Sequence, residues 1–362
     1  MADKTGNPTL YDVAQAAGVS LATASRSLNG SERKVNESYR VRVLAAAEKL
    51  GYTPNLSAQA VARGASSTVA LLVSDVADPY FSSIAAGVVR ASAAQGLMVT
   101  MAATDRDADR EIQLVRVMRG QRPQIIVIAG SRFVDDPTRD ALVAELTAFS
   151  QSGGRVVVIS QDELPFDTVM VDNRAGASQL AGELLGLGYT RFGILSGPAN
   201  LLTARDRSEA FTARLAADGI SPVVVQDGEF TRDGGYAAMN RVIDGGGVAG
   251  TGVRGLDGVD GVDGVGGVGG LEIVFAVTDV MAIGAMTALR ERGISVPSQV
   301  AVVGFDDIPS AQDAYPALTT VRVPLEAAGE RAIELALSAP GKKHAVVDVA
   351  TEVVLRGSSP AR

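Results

Sequence analysis

The sequence predicts an α/β protein with an N-terminal all-α helix-turn-helix head and a two-lobe, doubly wound core. Three observations support this prediction. The chain has 362 residues, which is too many for one ordinary domain. Its first 64 residues show helical patterning around a glycine-containing turn. From Thr68 onward, short Val- and Ile-rich runs alternate with helical segments, which indicates parallel sheets covered on both faces.

The head begins with a helix that Thr9 can cap, since its hydroxyl can accept from the amide three residues on. Gly18 ends this helix, and Ser20 caps a second helix that runs from Leu21 to about Leu28. Two short helices joined by a three-residue turn form a helix-turn-helix. The second helix carries little outward bulk, so it can enter a major groove of DNA.

A third helix is predicted from the cap Asn36 to Leu50, with Gly51 as its left-handed stop. Helical spacing places Val41, Leu44 and Ala45 on its inner face, together with Val43 or Ala47. After residues 1–54, which form the head, residues 55–67 combine a helix of about two turns with a Gly/Ser-rich linker. Such a short helix is marginal alone and can couple a DNA reader to the core over 68–362.

The core contains eight apolar runs that we predict to be strands, separated by segments of helical periodicity. The predicted strands are Val69–Ser74, Leu97–Ala102, Ile125–Ala129, Val156–Ser160, Thr168–Val171, Phe192–Leu195, Ile273–Val277 and Val300–Gly304. The helices between them include Tyr80–Gln95, Ala108–Gly120, Ala175–Leu187 and Asp279–Arg292. About 290 residues of this pattern exceed one sheet, so two doubly wound halves are expected.

Polar loops follow several predicted strands, where ligands bind in sheets of this kind. They contain Arg and carboxylate side chains that suit bidentate hydrogen bonding to a polyol or a similarly polar ligand. A purely structural role stays open for each loop, since Asp279 can cap its helix and Asp78-Pro79 can be a turn.

Composition and charge limit the classes of function. The chain has no Cys and one His, His344, so thiolate or His-cluster metal sites and a His-based triad are excluded. We expect no cofactor, no metal and no enzymatic activity. The first 64 residues carry eight basic and five acidic side chains, a net +3, whereas the whole chain carries −8. This asymmetry is typical of a protein that meets nucleic acid at one end only.

The N-terminus lacks the apolar segment of a signal peptide, and no stretch reaches the roughly 18 apolar residues of a membrane helix. We therefore expect a cytoplasmic protein without a membrane partner.

Three N-terminal segments carry a family resemblance: TLYDVAQAAGVSLATASRSLNG, VNESYRVRVLAAAEKLGYTPN and LSAQAVARG. In this order and spacing they resemble the head and hinge of the lactose- and galactose-repressor (LacI/GalR) family of bacterial transcriptional regulators. The resemblance implies a homodimer on a near-palindromic operator, with hinge helices that wedge open the minor groove. Leu21, Ala22 and Arg26 would face bases, and the implied backbone or cap positions are Thr9, Ser20, Thr23, Ser25 and Asn29. Hinge positions are Asn55, Ala58 and the wedge Val61, where the family usually has Leu.

The core segments VADPYF, VDNRAGA, ILSGPANLLTARDRSEAF, FAVTDVMAIGAM, AVVGFDD and YPALTTVRVP resemble the effector core of the same family. That core is similar to periplasmic sugar-binding proteins and implies two lobes joined by three crossovers, with a ligand cleft between them. The first lobe would span about 68–161 and 318–342, and the second about 162–317 and 343–362.

Effector contacts are implied by position in the same resemblance. Arg207 would grip the effector, Phe230 would stack on it and Asp306 would accept a sugar hydroxyl. Asp279 matches the acid at the start of a helix. Ser160 stands where many relatives carry an acid. The expected first-lobe contacts are Asp75, Tyr80 and Arg106.

Residues 244–270 form a Gly/Val/Asp repeat that contains two G-x-G-x-x-G matches. A dinucleotide site needs a strand before the glycines and a helix after them, and here the second match precedes a strand. We therefore interpret the segment as a disordered insertion.

The function predicted is a sequence-specific DNA-binding repressor, allosterically controlled by a small molecule, a sugar or a related metabolite. A sugar-binding transport component is the alternative, which the head and the missing signal peptide disfavour.

Overall fold

The computed structural model describes residues 8–29, 35–53, 66–245, 270–339, 341 and 343–362. The chain divides into two compact units, Met1–Ser66 and Ser67–Arg362. The predicted hinge over 55–67 and the insertion over 244–270 lie almost wholly outside the described residues.

The first unit contains the three predicted helices: α1 (Leu10–Ala17), α2 (Leu21–Asn29) and α3 (Glu37–Leu50). Thr9 begins α1 with a capping box, in which the Asp12 carboxylate accepts from the Thr9 amide at 2.9 Å. Gly18 and Gly51 end α1 and α3 in the left-handed region, both at φ 63°. The helix-turn-helix prediction is therefore confirmed.

The inner face of α3 differs from the prediction. Val43, Ala46 and Ala47 are buried in one apolar cluster with Val13, Ala17 and Ala24 of the other two helices. Val41 and Leu44 are 57 % and 44 % exposed, and Ala45 is exposed too, so placing these three inside was wrong. Apolar residues occur around much of α3, so spacing alone allows several inner faces. Packing against α1 and α2 buries the face that carries Val43, Ala46 and Ala47, which follow the i, i+3, i+4 spacing of a helix.

The second unit contains a six-stranded parallel sheet. Its strands are β1 (Thr68–Val73), β2 (Met98–Ala103), β3 (Ile125–Ala129), β4 (Arg155–Ile159), β5 (Asp167–Val171) and β11 (Val346–Val349). They lie in the order β11-β5-β4-β3-β1-β2. The covering helices are α4 (Pro79–Ala94), α5 (Ala108–Gly120), α6 (Arg139–Gln151) and α12 (Leu325–Leu337).

Both faces of the central strands β1, β3 and β4 are buried, as their apolar runs predict, whereas the edge strand β2 is largely exposed, with Met98 and Met101 at the surface. Val69 and Leu71 of β1 pack in one core with Ile84 of α4, whereas Ala70 and Leu72 pack in a second core with helices α5 and α6. Helices α4 and α12 lie very close together, because a Cβ atom on Gly87 would overlap the backbone of α12.

A second parallel sheet is formed by β6 (Phe192–Leu195), β7 (Val224–Gln226), β8 (Ile273–Ala276) and β9 (Ala301–Val303). Their order is β7-β6-β8-β9. The associated helices are α7 (Asn173–Gly186), α8 (Leu202–Ala217), α9 (Arg232–Ile243), α10 (Asp279–Glu291) and the short α11 (Pro309–Asp313). The sequence did not predict β7, whose short apolar run ends at the polar Gln226.

Three segments cross between the sheets: one after β5, one through β10 (Thr320–Arg322) and one through β12 (Glu352–Val354). Strands β10 and β12 pair with each other in an antiparallel ribbon. Strands β5 and β11 belong to the first sheet, whereas the expected lobe boundaries at 162 and 343 had placed them in the second lobe. Parallel pairing of β5 with β4, and of β11 with β5, accounts for the difference.

No helix in the described ranges has the length and apolar character that a membrane span requires.

Candidate functional site

The exposed face of α2 offers three side chains to a partner. Leu21, Ala22 and Arg26 are all exposed, and Leu21 is 50 % accessible although it is apolar. Positions i, i+1 and i+5 lie on one side of a helix, so the three form a continuous strip. An apolar group and a guanidinium in one strip can contact a thymine methyl and a guanine edge in the major groove.

The polar head residues serve mainly as caps in this structure. The Ser20 hydroxyl accepts from the Thr23 amide at 3.1 Å and lies 2.8 Å from the Thr23 hydroxyl. The Thr9 hydroxyl donates to Asp12 at 2.6 Å. Ser25 is half-buried. Asn29 ends α2, and its side chain, like Asn55, Ala58 and Val61, lies outside the described residues.

A cleft opens between the two sheets of the second unit, beyond the carboxyl ends of their parallel strands. Six of the eight predicted effector residues line it, namely Tyr80, Arg106, Ser160, Arg207, Phe230 and Asp306. Loops after β1, β2 and β4 contribute from the first sheet, while α8 and the loops after β7 and β9 contribute from the second.

The buried Arg207 side chain is fixed in the cleft by several hydrogen bonds and a ring contact. Its Nε donates to Asn173 Oδ1 at 2.8 Å, and its Nη1 donates to the Val277 carbonyl at 2.7 Å. Its guanidinium also lies 3.8 Å from the centre of the Phe305 ring. A buried guanidinium with fixed partners presents its remaining donor at a defined angle, as recognition of a polar ligand requires.

Two of the predicted acidic contacts, Asp306 and Asp279, lie at different places relative to the cleft. Asp306 lines the cleft, 2.9 Å from Arg207 Nη2, and burial raises the pKa of its carboxyl well above the usual range. Asp279 lies behind the cleft wall, where it accepts from Thr320 Oγ1 at 2.6 Å and from the Ile308 amide at 3.0 Å. Burial raises the pKa of Asp279 to about 7. Asp279 therefore ties β10 and the loop after β9 to α10.

The first-lobe wall centres on Arg106, whose φ of 58° lies in the left-handed region. Its Nη1 donates to Asp75 at 3.1 Å, and its Nη2 donates to the Phe230 carbonyl of the other lobe at 3.2 Å. Asp75 thus orients Arg106 but does not itself line the cleft. Burial raises the pKa of the Tyr80 hydroxyl well above its ordinary value, so Tyr80 remains a neutral donor.

Ser160 lines the cleft and donates to Gln161 Oε1 at 3.0 Å, while Phe230 offers a mostly buried ring. Nine further polar lining residues were not among the predicted contacts: Ser74, Asp78, Glu111, Ser131, Arg132, Gln161, Asn173, Thr203 and Thr278. Residues 131 and 132 lie one residue beyond β3, after Gly130, and this position at a strand end is the signal that could have found them. Among the described residues, no group of three or more His, Cys, Asp or Glu could hold a metal ion.

Comparisons with known proteins match the chain along most of its length. Residues 9–55 match the family described as "Bacterial regulatory proteins, lacI family". Residues 66–246 match "Periplasmic binding proteins and sugar binding domain of LacI family", and residues 181–359 match "Periplasmic binding protein-like domain". The regulator CelR of Thermobifida fusca is 31 % identical over 340 residues, covering 92 % of each chain. This chain belongs to the LacI family.

Other similar proteins are regulators as well. GalR of Escherichia coli (strain K12) is 30 % identical, with 91 % of this chain and 88 % of GalR covered. The solved structure of the "transcriptional regulator CelR-cellobiose complex" is 28 % identical and superposes with a TM-score of 0.66 over 97 % of this chain and 99 % of that one. A Lac repressor structure, 24 % identical, shares the fold with a TM-score of 0.80, covering 98 % and 100 %.

Membership of the LacI family confirms the predicted fold class and the predicted function: the chain is a sequence-specific DNA-binding transcriptional regulator. The alternative of a transport component is not supported, because the lacI match covers the head and the similar proteins are regulators. The same relatives confirm that the protein is a regulator rather than an enzyme.

Proposed function

We propose that this LacI-family regulator is a cytoplasmic repressor that binds a near-palindromic operator as a homodimer and responds to a sugar or a related metabolite. The cleft carries this proposal. A buried guanidinium–carboxylate pair on one wall faces an aromatic hydroxyl and a second guanidinium on the other. Such convergent polar groups between two lobes suit a ligand with several hydroxyls.

For the DNA, we propose that Leu21, Ala22 and Arg26 read base edges in the major groove. Thr9, Ser20, Thr23, Ser25 and Asn29 would hold the backbone, with Asn55, Ala58 and Val61 in the hinge. The exposed strip on α2 supports the first part of this assignment. Because only one of the three base-facing side chains is charged, apolar contacts and DNA deformability would carry much of the specificity.

For the effector, we propose direct contacts from Tyr80, Arg106, Ser160, Arg207, Phe230 and Asp306, with Asp75 and Asp279 acting through their hydrogen-bonded neighbours. The similar regulator CelR forms a complex with cellobiose, which supports a sugar as the effector class. Ligand binding would alter closure of the two lobes of 68–362. Closure would then determine whether the hinges at 55–67 pair on DNA. The effector site and the DNA site would thus be linked by a coupling free energy.

The test is a gel-shift titration of the full-length protein on an operator selected from genomic DNA, repeated with a panel of candidate metabolites at fixed salt. We expect a retarded complex whose stoichiometry is two chains per operator, and a change in affinity with at least one sugar. Specific operator binding whose affinity no metabolite changes would contradict effector control. A stoichiometry of one chain per operator would contradict the homodimer.

A further inference from the structure

A buried ion pair forms part of the first-lobe wall of the cleft. Arg132 Nη1 donates to Glu111 Oε2 and Arg132 Nη2 donates to Glu111 Oε1, each at 2.9 Å. The two side chains are only 6 % and 8 % exposed, and both residues line the cleft. A fork-to-fork contact of this kind fixes the plane of the guanidinium.

The same contact leaves the Nε–H of Arg132 without a partner. Each terminal nitrogen donates one N–H to Glu111, while the buried Nε–H has no hydrogen-bond partner among the described residues. Leaving a buried donor unpaired costs more than a typical hydrogen bond contributes, so native structures rarely keep one without a purpose. A ligand oxygen in the cleft would satisfy it.

The opposite wall offers the complementary group. Asp306 Oδ1 is buried and lacks a well-directed hydrogen bond, although Arg207 Nη2 lies 2.9 Å away. One lobe therefore presents an unused donor and the other an under-used acceptor. A hydroxyl group both accepts and donates, so a molecule with several hydroxyls can serve both walls at once.

The lining arginines of the cleft are already paired within the protein. Each of the three in the described part has a carboxylate partner, in the pairs Arg106–Asp75, Arg132–Glu111 and Arg207–Asp306, and Asp78 adds a fourth carboxylate 3.6 Å from Arg106. An anionic ligand would find no unpaired cation among these described lining residues and would meet their carboxylates. An uncharged polar ligand meets neither obstacle.

We propose that Arg132 is a first-lobe effector contact, whose Nε–H donates to a hydroxyl or ether oxygen of an uncharged polyol. Glu111 acts as a positioning residue that orients the guanidinium and cancels its charge, so that phosphorylated or carboxylated analogues are rejected. This proposal rests on the proposed function, in which the cleft holds a sugar-like effector.

The backbone of Arg132 also bridges the two lobes. The Leu202 amide of α8 donates to the Arg132 carbonyl at 2.9 Å, and the Val134 amide donates to the Asn200 carbonyl at 2.8 Å. Phe133 and Leu201 form an antiparallel bridge between these bonds. A ligand that contacts both Arg132 of one lobe and Asp306 of the other would therefore hold the two lobes in this bridged arrangement.

The decisive variant is Arg132→Lys in the full-length protein, since Lys keeps a charge opposite Glu111 but has no Nε–H at the same point. Calorimetry would compare D-glucose, D-galactose, D-ribose and cellobiose with D-glucose 6-phosphate and D-ribose 5-phosphate. We expect the wild type to prefer an uncharged member, and Arg132→Lys to bind it about ten- to a hundredfold more weakly. The matched control is Arg155→Lys. Arg155 pairs with Asp167 at 2.9 Å and does not line the cleft, so this variant should bind the sugar with unchanged affinity.

Glu111→Gln tests the charge argument, because it leaves the Arg132 charge without its counterion. We expect its preference for uncharged over phosphorylated sugar to fall at least about tenfold. If circular dichroism shows that this variant is unfolded, the double variant Glu111→Gln/Arg132→Gln replaces it and should lose affinity for the uncharged sugar without gaining the phosphate.

Equal binding of the uncharged sugar by wild type and Arg132→Lys would overturn the role of Arg132 and leave the proposed function intact. Wild-type preference for a phosphorylated sugar would overturn the selection by Glu111. Failure of every sugar to bind, with operator binding preserved, would overturn the sugar effector and with it the polyol contact of Arg132.

Discussion

Arg207 serves both the stability of the second lobe and the chemistry of its cleft. Three hydrogen-bonding or ionic partners come from different parts of the lobe: Asn173 at the start of α7, the Val277 carbonyl after β8, and Asp306 after β9. Phe305 supports the guanidinium from one face. Ion pairs buried in this way contribute little net stability, but breaking one leaves an uncompensated charge inside the protein.

We therefore expect Arg207→Met to lower the free energy of unfolding by about 3–5 kcal/mol, because Asp306 would stay buried without its counterion. Urea unfolding followed by circular dichroism measures this change. The control is Arg322→Met, whose exposed arginine pairs with Asp307 and Glu352 and should cost at most about 1 kcal/mol. Equal losses in the two variants would refute the argument from burial.

The buried Asp279 should make the free energy of unfolding depend on pH. Burial raises its pKa to about 7, while the hydrogen bonds from Thr320 and Ile308 act in the opposite direction. In the unfolded chain an Asp has a pKa of about 3.9. Between these values the folded protein holds a proton that the unfolded chain releases, so this group's contribution is fully present below about pH 4 and is lost as the pH rises through about 7.

Asp279→Asn should remove this contribution. The difference between wild-type and variant free energies of unfolding should decline by about 1.4 kcal/mol per pH unit between about pH 4 and 7. Urea titrations at one-unit steps measure it, with Asp233→Asn, an exposed acid at the start of α9, as the control that keeps the wild-type slope. Parallel curves for wild type and Asp279→Asn would show that Asp279 is ionised throughout this range.

Among the elements, α2 is the one whose exposed surface is least explained by the fold. Its inner residue Ala24 is buried, whereas Leu21 remains half-exposed at the beginning of the helix. A large apolar side chain on the surface of a small head costs solubility without adding to the core. The proposed contact with DNA would account for its exposure.

We expect Leu21→Ala to weaken operator binding by about 1–2 kcal/mol, roughly five- to thirtyfold, because a Leu side chain loses its apolar contact. Fluorescence anisotropy at constant salt measures the affinity. Leu44→Ala provides the matched control, since Leu44 is a similarly exposed Leu on α3, and its affinity should stay at the wild-type value. A loss shared by both variants would point to general damage of the head.

Comparison of the predicted and observed elements shows which parts of the fold follow from the sequence alone. Ile125–Ala129 and Phe192–Leu195 have the predicted bounds, because continuous apolar runs between helices are unambiguous. Strands β7 and β11 and the β10–β12 ribbon were not predicted, since each is short and is interrupted by polar residues. Val41 and Leu44 were assigned to the core because spacing alone does not select among several apolar stripes on α3.

The cleft was predictable only in part, for a physical reason. Loops at strand ends and the family resemblance led to Arg207, Asp306 and Arg106, which all line it. Glu111 lies in the first turn of α5, where an acid is equally expected as a partner of the helix dipole. Its pairing with Arg132 joins positions 21 residues apart and depends on the packing of α5 beside β3.

Residues 244–270 join α9 to β8, and residues 246–269 lie outside the described residues. Their Gly/Val/Asp composition supplies few side chains able to form a core. We expect deletion of residues 246–269 to leave operator affinity and the urea midpoint unchanged. Loss of folding in the deletion variant, detected by circular dichroism beside the wild type, would contradict that interpretation of the segment.

For the whole molecule, the division at Ser66–Ser67 separates two cores that share no residue. The head core consists of α1–α3 residues with Val19 and Tyr52, whereas both sheets of the second unit contribute to its own larger core. Each unit therefore has the internal apolar contacts that independent folding requires. Coupling between DNA and effector then depends on what the hinge transmits, since the cores themselves are separate.

A fragment spanning Ser67–Arg362 should consequently fold alone, because every residue of the larger core lies within it. We expect its urea midpoint and its affinity for the effector sugar to equal those of the full chain, while operator binding disappears. Calorimetry and gel shifts on the fragment and the intact protein, prepared side by side, make the comparison. A fragment that folds but binds the sugar differently would show that the head restrains lobe closure even without DNA, so that coupling runs through the hinge in both directions, as reciprocity demands.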